Sequence, residues 1–256
     1  VGELDGESPG IGVRFAIQIG TCAARVGQTA RVIPTVSVED VQAARALLRG
    51  VARETPLRPA RWLAEKVGGP VELKCENLQR AGSFKIRGAY TRMSRLSPDE
   101  RERGVVAASA GNHAQGVALA AQMLGIHATV FMPVGAPLPK VAATRGYGAD
   151  IRFVGAVIDD ALEAARLFAD ETGAILIHPF DHADIVAGQG TVGLEILEDQ
   201  PDDETIVVPI GGGGLVVGRV ADANDNHALV GAKVTSDTTD EATAVATADP
   251  AMGNFY

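Results

Sequence analysis

The chain of 256 residues is long enough for one large or two small domains with a substantial core. Hydrophobic residues at 46% and charged residues at 21% describe an ordinary globular protein and exclude a disordered one. With 23 basic against 32 acidic residues, the formal charge of −9 excludes a general nucleic-acid binder, which needs a basic face, and still leaves room for one small anion held locally.

Cys22 and Cys75 are too few for a disulfide framework and lack metal-ligand spacing, so the cytoplasm is the expected compartment. No apolar run reaches the roughly 18 residues of a membrane span. Glu3, Asp5 and Glu7 carry the wrong charge for a secretory signal, and residues 1–35 read as an extension of undefined order.

From there the elements follow in chain order. Ser37 caps a helix whose apolar positions Val38, Val41, Ala44, Leu47 and Leu48 have helical spacing, and Thr55-Pro56 marks a break after it. Val71–Cys75 is a short strand. Ser83 is positioned to cap a second helix with Ile86, Ala89, Tyr90 and Met93 on one face. A regular alternation then sets in. Strands are expected at Gly104–Ala108, Ala128–Met132, Asp150–Val154, Ala174–His178 and Thr205–Ile210. Helices are expected at His113–Leu124, Pro139–Arg145, Asp159–Asp170 and Gly190–Glu198. Apolar strands alternating with helices predict parallel sheets covered on both faces, an α/β fold. Residues from about 220 onward, rich in Ala, Asp, Thr and Asn, have little amphipathic period and read as a weakly ordered tail.

Three stretches carry chemistry. Gly211-Gly212-Gly213-Gly214-Leu215 follows the last strand, where converging backbone N–H groups can cradle a phosphate; taken alone the same run also describes a flexible turn. It is neither a dinucleotide fingerprint nor a P-loop. Ser109-Ala110-Gly111-Asn112-His113-Ala114-Gln115-Gly116 bridges a strand end and a helix start, the place where open α/β sheets bind ligands. Its N–H groups suit a carboxylate and Asn112 offers an amide to a ring oxygen. Taken alone, Asn112 also reads as a helix cap and His113 as a surface residue. Gly82-Ser83-Phe84-Lys85-Ile86-Arg87-Gly88-Ala89 places a lysine among apolar neighbours, where partial desolvation favours the nucleophilic amine, although a lone helix lysine is ordinarily a solvated charge. His178 and His182 are four apart, but Pro179 breaks the helical spacing and no third metal ligand is evident, so both read as structural.

Together these strings resemble the threonine dehydratase (threonine ammonia-lyase) family, which depends on pyridoxal 5'-phosphate and has the tryptophan-synthase-β-like fold. Glu54-Thr55-Pro56-Leu57, Glu76-Asn77-Leu78-Gln79, His178-Pro179-Phe180-Asp181 and Ala187-Gly188-Gln189-Gly190-Thr191 extend the likeness over residues 38–215. The resemblance implies two open parallel-sheet domains (fold type II of these enzymes). The larger is formed by 36–103 and 185–220, the smaller by 104–184, and 221–256 make an atypical tail. It implies that Lys85 holds the cofactor as a Schiff base and moves the substrate α-proton, with Phe84 beside it. Asn112 would bond the ring hydroxyl, and Ser109, Ala110, Gly111, Asn112 and His113 would receive the substrate carboxylate. Gly211, Gly212, Gly213, Gly214 and Leu215 would hold the phosphate.

The implied reaction is α,β-elimination from L-threonine or L-serine to a 2-oxo acid and ammonia, with an amino acid as partner and a homo-oligomer as assembly. Cysteine synthases typically have Asp in place of Ile86 and Thr-Gly in place of His113-Ala114. Serine racemases use a serine acid/base where Ala110 stands, and alanine transfers no proton. Past Leu215 the family strings stop, and the large domain is expected to be truncated there. A truncated, catalytically incompetent remnant, a racemase-like relative and a nucleotide-binding α/β protein are the competing readings.

Overall fold

Ser37 begins the regular part of the chain as expected: its hydroxyl accepts from the Asp40 N–H, and the Asp40 carboxylate accepts in return from the Ser37 N–H. The computed structural model describes residues 14–19, 36–201, 205–210 and 215. In chain order it has β1 (Arg14–Ile19), α1 (Val38–Leu47), β2 (Leu57–Pro59), α2 (Arg61–Val67), β3 (Glu72–Lys74) and a 3-10 turn at Glu76–Leu78. Then come α3 (Lys85–Ser94), α4 (Pro98–Arg103), β4 (Val105–Ala108), α5 (Asn112–Leu124), β5 (Ala128–Met132) and α6 (Leu138–Gly146). The series closes with β6 (Asp150–Phe153), α7 (Ile158–Thr172), β7 (Ile175–Leu176), α8 (Ala183–Asp199) and β8 (Thr205–Ile210). No helix among the described residues is long and apolar enough to cross a membrane.

The alternating elements build a four-stranded, all-parallel sheet in the order β6-β5-β4-β7. Central strands β4 and β5 are buried along their whole length, which is why they read as continuous apolar runs. Their side chains divide by period two. Val105, Ala107, Ala128, Val130 and Met132 join one core cluster with Val117, Ala118 and Ala121 of α5. Val106, Ala108 and Phe131 join another with Ala161 and Ala165 of α7. Gly125 and Gly173 end α5 and α7 in left-handed conformations that other residues adopt only with strain.

Several expectations change. The helix expected at Gly190–Glu198 begins at Ala183, where the His182 ring accepts from the Asp184 N–H. The strand expected at Ala174–His178 contracts to Ile175–Leu176, because β7 pairs with β4 over those two residues only. The strand expected at Val71–Cys75 forms as β3, but α2, α4 and its antiparallel partner β2 were not anticipated, and within residues 1–35 the chain forms β1, parallel to β8.

α3 is the hub between α5 and α8. Ile86, Ala89 and Met93 on its buried face share a cluster with Ile185 of α8, and each full burial of an Ile or Met contributes about 1.5–3 kcal/mol. Close approach depends on glycines. A Cβ on Gly188 would stand 2.5 Å from the Arg87 carbonyl oxygen and 2.6 Å from Gly88 Cα. A Cβ on Gly116 would stand 2.9 Å from the Lys85 carbonyl carbon.

Arg87, 1% exposed, fastens α3 from behind. Its guanidinium donates to Glu76 at 2.9 and 2.8 Å, to Glu195 at 2.6 and 3.0 Å, to the Thr191 hydroxyl at 3.1 Å and to the Arg53 carbonyl at 3.2 Å. Lys74 Nζ adds a 2.9 Å ion pair to Glu195, so two cations face two carboxylates. Burial opposes the charge on Arg87, but the two carboxylates outweigh it and hold its pKa above the ordinary value.

Gly188→Ala is expected to lose about 1–3 kcal/mol by denaturant titration, because backbone must separate from backbone. Gly193→Ala on the same helix, where an added Cβ meets nothing within 4 Å, should gain about 0.5–1 kcal/mol. Arg87→Met should lose about 3–5 kcal/mol in the same titration, since Glu76 loses its cation and Glu195 keeps only Lys74.

Candidate active site

Lys85 is the first residue of α3, with Phe84 at the N-cap position and no side-chain cap. The helix therefore starts beyond the expected Ser83 cap, whose hydroxyl instead takes the Lys85 N–H at 3.4 Å. The Lys85 side chain is half-buried. Its Nζ donates to the Pro179 carbonyl at 2.8 Å and lies 5.2 Å from the centre of the Phe84 ring. Burial lowers its pKa, shifting the balance toward the neutral, nucleophilic amine.

The second stretch leaves the carboxyl end of β4. Ser109, Ala110 and Gly111 are half-buried, and the Ser109 hydroxyl accepts from the Gly111 N–H at 3.1 Å. Gly111, not Asn112, is the N-cap of α5, and an added Cβ there would meet open space. Asn112 is exposed, and its Oδ1 accepts from Lys140 Nζ at 2.6 Å.

His113 is no surface residue: it is 4% exposed, and its Nε2 lies 2.8 Å from the Ile177 carbonyl. A carbonyl only accepts, so Nε2 carries the proton and Nδ1 does not. Burial pushes its pKa down to about 3, the carbonyl bond pulls against this, and Lys85 and His178 add to the lowering. The ring is neutral at physiological pH.

The starts of α3 and α5 thus meet twice: at Gly116, packed on the Lys85 backbone, and at the segment after β7, where Ile177 takes His113 and Pro179 takes Lys85. His178, in the same segment, accepts the Phe180 and Asp181 N–H groups on Nδ1 at 3.3 and 2.8 Å. Burial lowers its pKa, with Asp181 opposing. Both ring contacts are local backbone bonds.

Lys85 and His113 accordingly lie in one region, with Ser109, Ala110 and Gly111 on the turn that leads into α5. Gly211–Gly214 lie outside the described residues, and Leu215, half-buried, stands in a turn. An open polar cleft of about 790 Å³ lies elsewhere, between α1 and α8 over Arg87, Thr191 and Glu195, and Lys85 does not line it. Sequence reasoning missed the Ile177 and Pro179 carbonyls, which carry no side-chain signal, and Lys140. The available signal for Lys140 was a cation in the first turn of a helix, against the helix dipole.

The geometry offers a half-buried amine close to a buried, neutral imidazole. A family model described as "Pyridoxal-phosphate dependent enzyme" matches residues 48–248. The match runs past Leu215, where the recognisable strings stop. The L-threonine ammonia-lyase of Thermotoga maritima is 54% identical over 183 residues, covering 72% of this chain and 46% of the relative. The chain thus spans about half the length of the curated relatives it matches. Among solved structures, maize serine racemase superposes with a TM-score of 0.71 at 37% identity, covering 79% of this chain and 61% of that one. The processed form of threonine deaminase isoform 2 from Solanum lycopersicum does so with a TM-score of 0.64 at 39% identity, covering 71% and 54%.

Buried neutral His113 makes this region acid-sensitive. Its native pKa of about 3 lies below the unfolded value of 6.5, so only the unfolded chain takes up the proton between them. Its contribution is complete above pH 6.5 and is lost as pH falls toward 3, by up to about 1.4 kcal/mol per pH unit. Denaturant midpoints between pH 7 and 5 should fall less steeply in His113→Gln than in the wild type.

Proposed function

The chain belongs to the family of pyridoxal-phosphate dependent enzymes, and from that membership and the placement of Lys85 we propose that it removes water from L-threonine, and from L-serine, by α,β-elimination, yielding 2-oxobutanoate or pyruvate and ammonia. The observation that carries this reading is the half-buried Lys85 amine, its charge disfavoured by burial, at the start of a helix on which α5 packs through Gly116. Relatives at 54% and 48% identity named L-threonine ammonia-lyase support the same chemistry.

The residues present fit pyridoxal phosphate. Lys85 supplies the amine that binds it, and the space beside Gly111 leaves room next to the loop. When bound, the cofactor supplies the electron sink for removal of the α-proton. The protein's residues do the rest. Lys85 moves the proton at the substrate Cα. The N–H groups of the Ser109–His113 loop receive the substrate carboxylate, Gly111 exchanging its bond to Ser109 for one to the ligand. His113, tied to Ile177, holds the start of α5 in place and brings no charge to the site. Gly211–Leu215 take the phosphate in this reading.

It takes residues 104–184 as a unit inserted between 36–103 and 185–220, with the cytoplasm as compartment and a homo-oligomer as assembly. The likeness to maize serine racemase favours one second reading, racemisation. Ala110 opposes it, because its methyl group has no proton to exchange at the position where those enzymes are expected to use a serine.

Mixing the 256-residue chain with pyridoxal phosphate should produce a visible absorbance band that borohydride bleaches while leaving the cofactor covalently fixed on Lys85, and Lys85→Ala should abolish the band. Threonine should then release 2-oxobutanoate at the wild-type protein only. A band without turnover would favour a non-catalytic remnant, fast D-serine formation from L-serine would favour racemisation, and absence of the band would overturn the cofactor assignment.

A further inference from the structure

β4 and β5 are adjacent and parallel, so the helices that follow them start side by side at the carboxyl edge of the sheet. Asn112 opens α5 and Lys140 stands in the first turn of α6. Lys140 Nζ lies 2.6 Å from Asn112 Oδ1 and 3.1 Å from Gln115 Oε1, two side chains three residues apart on one face of α5.

Two physical points give the arrangement meaning. An ammonium group has donors only, so each amide must turn its oxygen to Lys140, and the Asn112 NH₂ group becomes the edge offered to any other partner. The position also runs against local electrostatics. The first turn of α6 contains no acidic residue, and a cation there faces the positive end of the helix dipole. Helix stability alone would favour another residue at 140.

We propose that Lys140 is a positioning residue that fixes the Asn112 side-chain amide with its NH₂ edge available to donate to the ring-hydroxyl oxygen of bound pyridoxal phosphate. This rests on the function proposed above and extends it to a residue outside the strings that carry the family likeness. Without Lys140 the amide is free to rotate by half a turn and present an acceptor to that oxygen, which discourages the ionised form of the hydroxyl. Lys140 acts through Asn112, so the two side chains contribute one effect and not two.

The test is a double-mutant cycle in the full chain with pyridoxal phosphate as ligand, reading its dissociation constant and the pH dependence of its visible band. Lys140→Met should weaken binding by about tenfold, the worth of one hydrogen bond to an ionised oxygen, and move the band's titration upward. Asn112→Ala should do the same, the double variant should be no worse than Asn112→Ala, and Lys140→Arg should restore most of the loss. Additive losses, or an unchanged titration, would overturn the role.

A second readout needs no cofactor. In the unloaded chain the Asn112 side-chain amide nitrogen resonance should shift in Lys140→Met, return toward its place in Lys140→Arg and stay put in Lys66→Met, whose lysine lies over the Trp62 ring. An Asn112 resonance indifferent to Lys140 would overturn the proposal even if binding weakened. A wild-type chain that takes up no pyridoxal phosphate would overturn the proposed function and this role with it. Intact loading without coupling would overturn this role alone.

Discussion

Arg87 brings the 3-10 turn, α8 and the chain near Arg53 onto the back of α3, two residues past the half-buried Lys85. A guanidinium taken out of water costs several kcal/mol, and here two carboxylates, a hydroxyl and a carbonyl offset that cost. The planar fork of donors allows this in one orientation, and a lysine could not reproduce it. The start of α3 is therefore fixed in rotation as well as position.

On that fixed helix, small residues decide what comes close. Gly88 and Gly188 let α3 and α8 cross backbone to backbone, and Gly116 lets α5 settle on the Lys85 main chain. The lysine side chain emerges between α5 and the segment after β7, half-buried, with the Pro179 carbonyl as its partner. The helix is rigid behind and open in front, an arrangement that keeps an amine both placed and reactive. His113 follows the same logic, since a buried imidazole that stays neutral braces α5 against Ile177 and adds no charge beside the amine.

Local sequence made the central elements legible. β4 and β5 were visible as apolar runs because both faces are covered, and α1 because Ser37 and its apolar spacing mark its start. The edge elements were harder. β7 pairs over two residues, too short to leave a pattern, and α8 extends forward through Ala183–Gln189, where Gly188 disguises a helix that needs it for close packing. α4 escaped although Ser97-Pro98-Asp99-Glu100 supplies a capping box and an N-terminal proline.

By itself, then, the sequence determined the α/β alternation and the order of the central strands along the chain and, through strings of specific residues, singled out Lys85 and its loop as candidates. It did so because hydrophobic period and glycine chemistry are local properties. Only the tertiary structure decided that His113 is buried and neutral, that Lys85 rests on the Pro179 carbonyl and that Lys140 faces Asn112. Those contacts join residues far apart in the chain, and two of them end on backbone carbonyls that no side-chain pattern records. Desolvation, which keeps His113 neutral and disfavours the charge on Lys85, exists only once the surrounding elements have closed over them.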